Sequence, residues 1–573
     1  MLTILLITAL FGQGQSWDSL GIKFITAFPE NIAFYYPVNP VNSLNITALY
    51  ADTVVTVSTS DGWKYKDTLP AGKPVTVTLP LDIEEYRFTQ THRTVRISST
   101  DHIVVQSISQ RGDSVQTNVV QPVKNLGTFY SIPSLNYSKM INTFYQLTRN
   151  FSKIYSTFRL VIINGENVNN YVTIVKMAEN KVHTLDPYSV LQLQTDGTEI
   201  AVKSNYIVAV MMTHPCVEMA ECRCNMVVNQ LYPNSQWDRR FVVPSILKTS
   251  NVWLHLTSST NITASGGDLE SGTLEASSSK LLSLPSLQSG SQFINTSDPA
   301  SLRLVSPGFI IEPIPQSRFS ACYLVVPVNS TDAKALVIAE TDYRDSVHID
   351  GDLLSSAKWS TIANSEYSSV LVSLNGSHVI WHPSTKIAVY VFEKGTNVYG
   401  GPAISLSAKP DPLGCALVPS KFNIIFKPQT WPESHQNCIL VSDELFSPSN
   451  KAAQMEMVDI LNSEGLNERL WIGLRRSLLT LEWYRQRGKN AYNMTYTQWG
   501  TGEPSVAEKG MCASVFPNSN MDFHWKSVPC CAQLKSICYT RALYFPLYFP
   551  ISNDISNEKG SNSNSNAGKN EDV

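Results

Sequence analysis

The chain has 573 residues, room for several domains, and its 44 basic and 47 acidic side chains leave a formal net charge of -3. Near-neutrality, with no Lys/Arg strip able to neutralise successive phosphates, excludes nucleic acid as a partner. Met1 to Ser16 join an apolar core, Leu2 to Phe11, to small residues at Gly12 and Gly14, which is a signal-peptide pattern without its charged n-region. That run falls well short of the roughly 20 residues that cross a bilayer, and no later segment reaches that length. The expectation is a secreted chain with no membrane span.

Eight Asn-X-Ser/Thr sequons begin at Asn45, Asn136, Asn150, Asn261, Asn295, Asn329, Asn375 and Asn493, each an expected surface glycan behind such a leader. Of the ten cysteines, Cys216, Cys222, Cys224 and Cys322 lie in the front part and six lie beyond it, the even parity of domains that close their own disulfides. Zinc is a poor reading, since Cys222-Arg223-Cys224 leaves a single residue between ligands where zinc pairs leave two to four.

From Ile22 to Gly400 the sequence alternates short apolar runs rich in Val, Ile, Thr and Tyr with Gly, Asn, Asp, Ser and Pro, which predicts an all-β region. Thr53 to Ser60, Pro74 to Leu79, Val172 to Lys176, Ala335 to Glu340 and Ile387 to Phe392 read as strands. A weak repeat is visible in Thr94 to Ser107, Thr198 to Met211, Ser301 to Pro313 and His378 to Val391, each reading as strand, polar turn and strand. Their spacing predicts three or four tandem β-sandwich units, each closing with this hairpin and the next opening on a strand such as Phe241-Val242-Val243-Pro244. A β-propeller, whose blades would repeat at about half that period, is the alternative.

Residues 17–405 also resemble the N-terminal region of the IgGFc-binding protein family. The resemblance is carried by Gly21 to Asn31 and by the cysteine cluster at Cys216 followed by Asn229-Gln230-Leu231-Tyr232-Pro233, Trp237 and Phe241 to Pro244. It implies an extracellular binding or structural module, and no Fc-contacting residue carries over. Arg111-Gly112-Asp113 is the tripeptide that many integrins bind, here against the plainer reading of a Gly turn between solvated charges.

Ala408 to Pro412 reads as the linker, residues 406–412 in all, to a domain at residues 413–540. Asn450 is expected to cap a helix through Leu461 with Ala452, Met455, Val458 and Leu461 on its buried side, and Gly465 to stop it. Trp431, Cys438, Trp471-Ile472-Gly473-Leu474, Trp483, Trp499, Gly502-Glu503-Pro504, Cys512, Trp525, Cys530 and Cys538 together resemble a C-type lectin domain. The resemblance implies an α+β fold with a loop face for ligands, buried Trp471 and Leu474, and disulfides Cys438–Cys538 and Cys512–Cys530. It leaves Cys415 and Cys531 as a remaining pair.

Sugar binding in that family runs through calcium, a hard cation that takes carboxylate and amide oxygens and then two sugar hydroxyls. Here Glu503-Pro504-Ser505 and Trp525-Lys526-Ser527 stand where the family's ligand triplets fall, so an amide becomes a hydroxyl, two oxygen ligands are lost and an ammonium is added. The expectation is a degenerate calcium site, with no metal and no cofactor. Glu503, Ser505, Glu508, Asn518, Asn520, Asp522, His524 and Lys526 remain to bind glycans or glycoproteins directly, on a microbial or cell surface.

No zinc helix, nucleophile elbow, phosphate loop or Cys-X-X-Cys is present, which argues against an enzyme. Residues 541–573, with an aromatic-proline stretch from Tyr544 and a Ser/Asn-rich end, read as a disordered, solvent-exposed tail. The sum is a non-enzymatic recognition protein of host defence or adhesion. A structural component of mucus or matrix and an integrin ligand are the alternatives.

Overall fold

The structure is a computed structural model that describes residues 18–546, except 33–37, 113, 136–156, 177–178, 221–222, 246–252, 268, 276–278, 284–289, 307–308, 329–331, 355–356, 395–397, 419, 467, 488–489 and 518–522. The signal-peptide segment 1–16, Cys222 and the tail beyond Pro546 therefore lie outside the described residues. The chain divides into two compact units, one formed by residues up to Cys415 together with those from Phe545 onward, the other by Ala416–Tyr544.

The front unit is built four times on one plan. In the first copy the strand β1 (Val95–Arg111) is long enough to serve two sheets. Its first half pairs with Gly21–Thr26 and Thr53–Thr59, and its second half with Val41–Ala48 and the return strand β2 (Ser114–Val119). A strand that leaves one sheet and enters the other is how a sandwich turns a corner. The second copy repeats this with β3 (Ile200–Ala220) and β4 (Arg223–Gln230), and the third with β5 (Gln292–Ser306) and β6 (Phe309–Ile311). In the fourth, Pro383 interrupts the long strand, giving β7 (His378–Trp381) in one five-stranded sheet and β8 (Ala388–Lys394), with return strand β9 (Val398–Pro402), in the other.

The predicted closing hairpins therefore need correction. Thr94 to Ser107 and Thr198 to Met211 lie on single strands, because the polar residues read as turns sit where the strand crosses between sheets. Ser301 to Pro313 is a true hairpin but stands later in its repeat, and His378 to Val391 spans two strands of different sheets.

The opening strands hold the more faithful signature. Phe24, Tyr130, Phe241 and Tyr323 occupy the same place in the four copies and are at most 2% exposed. The Tyr130 hydroxyl accepts the Gly127 N–H at 2.9 Å and donates to the Val208 carbonyl at 2.7 Å, fixing the strand entry. A Cβ on Gly21 would lie 2.5 Å from Pro122 Cβ, and one on Gly127 equally close to Pro233 Cβ, so these positions demand glycine by contact. Pro122, Pro233 and Pro315 each precede a single 3-10 turn that connects one sandwich to the next.

Three hydrophobic cores fill the four copies, the third and fourth sharing one that runs from Phe241 to Ala403. The return strands β2, β4, β6 and β9 each pack against the next and β9 packs against β2, which closes the sandwiches into a ring. Ile25, Ala27, Val161 and Ile163 seal the first junction, and Ile108, Val115 and Tyr399 seal the last. The units are sandwiches, yet they circle a centre as propeller blades do.

Cys216 and Cys224 staple the second return hairpin, and Cys322 bonds to Cys415 across 93 residues, closing the fourth sandwich. The Cys415–Cys531 pairing is thus corrected: Cys415 follows the strand Ile404–Ser407, which pairs with Cys322–Val325, so the two sulfurs are brought together by the sheet. Cys531 is free and exposed. The front unit runs through the segment read as linker to Cys415. The tail reading also changes at its start, because Phe545 is 1% exposed, its N–H donates to the Cys415 carbonyl, and Pro546 lies against Gly72.

In the second unit, β10 (Lys421–Gln429) leads to α1 (Trp431–Val441), whose N-terminus carries a capping box between Thr430 and Glu433. α2 (Lys451–Ser463) is capped by Asn450, and Gly465 follows it at φ +62°. Its buried stripe is Gln454, Met457 and Leu461, while Met455 is 56% exposed. The predicted stripe misses this because one core residue is polar. An eight-stranded sheet completes the domain, including β11 (Leu470–Arg476), β12 (Trp483–Arg487), β13 (Cys512–Pro517), β14 (Phe523–Val528) and β15 (Leu534–Thr540). Trp471 and Leu474 are fully buried, and Cys438–Cys538 and Cys512–Cys530 are bonded.

Candidate functional site

The loop from Trp499 to Gly510 lies along β14, and three indoles set its position. Trp525 on β14 is fully buried, with Trp499 at 5.6 Å and perpendicular to it; Trp483 lies 4.7 Å from Trp499. Gln454 of α2 clamps β14 from behind, donating to the Phe523 carbonyl at 2.6 Å and accepting from Trp525 Nε1 at 3.1 Å. The backbone then turns back: Gly500 N–H donates to the Trp525 carbonyl, and Glu503 N–H to the Gly500 carbonyl, both at 3.0 Å.

This brings Glu503 to Ser527. One carboxylate oxygen, Oε2, accepts the Ser505 N–H at 2.8 Å and the Ser527 N–H at 3.1 Å, while the Ser505 N–H also reaches the Ser527 hydroxyl at 3.1 Å. Burial pushes the Glu503 carboxyl up, but the hydrogen bonds from Ser527 and Ser505 and the Lys526 charge outweigh it and hold the group below the usual carboxylate range. The peptide bond between Glu503 and Pro504 is cis. On the far side Arg476 donates to the Ser505 carbonyl at 2.9 Å and lies over the Trp483 ring at 4.9 Å.

The structure thus joins Glu503, Ser505 and Lys526 in one corner, with Lys526 exposed and the other two half-buried. His524 is half-buried two strand positions away, on the same side as Lys526, and pairs across the sheet with Phe516. Glu508 is exposed on the single turn Ala507–Lys509. Asn518, Asn520 and Asp522 lie outside the described residues. Sequence reasoning missed Ser527, Arg476 and Gln454 as the residues that complete the corner. A polar residue inside an otherwise apolar helix stripe was the one available signal, at Gln454.

The other marked positions fall unevenly. Asn261, Asn295, Asn375 and Asn493 are exposed, whereas Asn136, Asn150 and Asn329 lie outside the described residues. Asn45 is 8% exposed in mid-strand and its Oδ1 accepts from the Thr76 hydroxyl. The Arg111 guanidinium is turned inward, donating to the carbonyls of Asn31 and Val38, so the integrin reading loses its free cation. Gly112 has φ +57° in the turn, and Asp113 lies outside the described residues.

Residues 116–392 match the family model described as IgGFc binding protein, and residues 427–540 that of the lectin C-type domain. The human IgGFc-binding protein is 25% identical over 382 residues, which are 62% of this chain and 7% of that protein. Human lithostathine-1-alpha is 26% identical over 112 residues, 19% of this chain and 65% of its own length. The chain therefore spans a small fraction of the first relative and just under two thirds of the second. The solved structure of human lithostathine is 21% identical, covers 22% of this chain and 93% of its own, and has a TM-score of 0.20. The chain thus carries a match to the IgGFc-binding-protein model followed by a match to the lectin C-type model.

Proposed function

We propose that this is a secreted, non-enzymatic recognition protein whose C-terminal domain binds carbohydrate or glycoprotein on a microbial or cell surface, in host defence or adhesion, without a bridging calcium ion. The family of residues 427–540 supports carbohydrate as the ligand class. The geometry at Glu503 carries the rest. Calcium takes about six to eight oxygen ligands. Here the carboxylate oxygen that would serve it already accepts two backbone N–H groups, and the neighbouring side chain is the Lys526 ammonium. Among the described residues no group of three His, Cys, Asp or Glu side chains is placed to hold a metal ion. These residues do not fit calcium. They offer instead a pre-organised polar corner, with exposed Lys526 and the Ser505 hydroxyl, beside the half-buried indoles of Trp483 and Trp499.

A glycan and microbe binding screen of the full chain, with and without a chelator, tests this. Binding that survives the chelator and weakens on Lys526→Ala is the expected result. Tight calcium binding by calorimetry, abolished by Glu503→Ala and required for sugar binding, would overturn it. A chain that binds no glycan or microbe under either condition would instead favour a structural role in mucus or matrix.

A further inference from the structure

The segment from Glu84 to Thr91 stitches the first sandwich to the second. At one end Glu84–Glu85 runs parallel to Phe28–Pro29, and at the other Gln90–Thr91 joins Val190 and Leu191 at the edge of a second-sandwich sheet. The turn between them is fixed from within. The Glu85 carboxylate, fully buried, accepts the Arg87 N–H at 2.7 Å and the Thr91 hydroxyl, while the Gln192 amide donates to the Arg87 carbonyl at 3.1 Å. With the backbone tied inward, the side chains of Tyr86, Arg87 and Phe88 turn to solvent, and the two rings are 46% and 41% exposed.

Arginines gather on these rings. The guanidinium carbons of Arg87 and Arg93 lie 5.4 and 5.3 Å from the centre of the Tyr86 ring, and that of Arg96 lies 4.9 Å from the Tyr188 ring. Tyr188 belongs to the same face, because its carbonyl accepts the Thr94 hydroxyl at 2.8 Å. Among the described residues no carboxylate lies within ion-pair distance of Arg87, Arg93 or Arg96. Arg159, 5.1 Å from the Phe88 ring, differs in being paired with Glu30 at 2.9 Å. Three unpaired cations held together on a chain of net charge -3 form a local positive field that draws an anionic partner.

The chemistry of the patch narrows that partner. A guanidinium laid on a ring keeps its N–H edge outward, and that edge takes a sulfate or carboxylate through two parallel hydrogen bonds. Between the cations lie exposed aromatic surfaces, which match a ligand whose acidic groups are separated by apolar faces, as the C–H faces of sugar rings are. Asp61 beside Arg93, and Asp186 at 3.9 Å from His92, stand at the margin. These acids repel a polymer charged at every unit, such as nucleic acid. We propose that this face of the ring is a binding surface for an acidic glycan, one whose sulfate or carboxylate groups are spaced along otherwise uncharged sugar rings. The surface does not rest on the lectin-type corner at Glu503.

Calorimetric titration of the full chain with a chondroitin sulfate hexasaccharide and with sialyllactose tests this. Saturable binding of at least one is expected, weakened at least tenfold by Arg87→Ala combined with Arg96→Ala. A control pair, Lys176→Ala with Arg239→Ala, removes the same charge from cations already paired with Asp196 and Asp298 and should leave binding unchanged. The hexasaccharide stripped of its sulfates and carboxylates should also lose at least tenfold. No binding of either acidic probe, equal losses in both pairs of variants, or equal affinity for the stripped hexasaccharide overturns the proposal. A poly-glutamate peptide or a single-stranded oligonucleotide bound more tightly through Arg87 and Arg96 overturns the choice of glycan. Should the variant fail to fold, phenylglyoxal labelling of wild-type Arg87 and Arg96, read by mass spectrometry, decides. Protection by the acidic probe supports the surface, and unchanged labelling refutes it.

Discussion

The ring and the lectin-type domain order their polar side chains by opposite means. In the ring, regular strands carry Gln106, Asn118, Asn229 and Gln230, and apolar junctions between sandwiches keep them in place. In Ala416–Tyr544 the site corner stands on an irregular loop, whose order comes from Cys512–Cys530, the indoles of Trp499 and Trp525, and the Gln454 clamp. A sheet pays for its order with hydrogen bonds all along the backbone, whereas a long loop has few and needs covalent or aromatic bracing. The consequence is that the same kind of lesion should fall unequally on the two units.

The largest expected difference is in the disulfides. Cys438–Cys538 closes 100 residues and Cys216–Cys224 only 8. In the chain-entropy relation the first contributes about 4 to 5 kcal/mol and the second about 2 to 3. Replacing Cys438 and Cys538 by Ala should unfold the lectin-type domain at a temperature where the ring remains folded, seen as a separate early calorimetric transition. The Cys216 and Cys224 pair replaced in the same way should lower the ring transition modestly. Equal shifts would remove the contrast.

Next comes pH. Glu84, in the first sandwich, is 9% exposed, and burial pushes its carboxyl from 4.5 up to about 7 against the hydrogen bond from Asn42 and the charge of Arg111. Between those values the folded state holds more protons than the unfolded state, so stability falls as pH rises. The loss should be on the order of 1 to 3 kcal/mol for the ring, complete by slightly above pH 7. Urea unfolding from pH 4.5 to 7.5 should show this slope, and Glu84→Gln should flatten it.

Glu503 supplies the smallest effect, with the reverse sign. Its folded value lies below 4.5, so its contribution is present above that pH and is lost as pH falls through the lower folded value. The stability of the lectin-type domain towards urea should therefore fall on acidification below about pH 4.5, and Glu503→Gln should reduce that dependence while the ring is unaffected. Ring and domain drifting the same way with pH would contradict the two carboxylate environments.

Much of this architecture was legible in the residues. Alternating Val, Ile and Thr fixed the β character of the front, and Pro-linked openings such as Phe241 to Pro244 marked its repeats. Indoles and cysteines at lectin spacing located the second domain. The site corner was legible only as a departure, in Ser505 and Lys526 standing where oxygen ligands would be. The hairpins failed because a strand that changes sheets carries polar residues at its crossing, and a local pattern cannot tell that crossing from a turn.

Local order therefore followed from side-chain period and turn chemistry, which act over a few residues and can be read along the chain. The closure of four sandwiches into a ring, the bridge from Cys322 to Cys415, the burial of Phe545 and the meeting of Gln106 with Gln230 and Glu312 required the fold. Each joins residues tens to hundreds of positions apart, whose proximity depends on how whole sheets pack and leaves no periodic mark in the sequence.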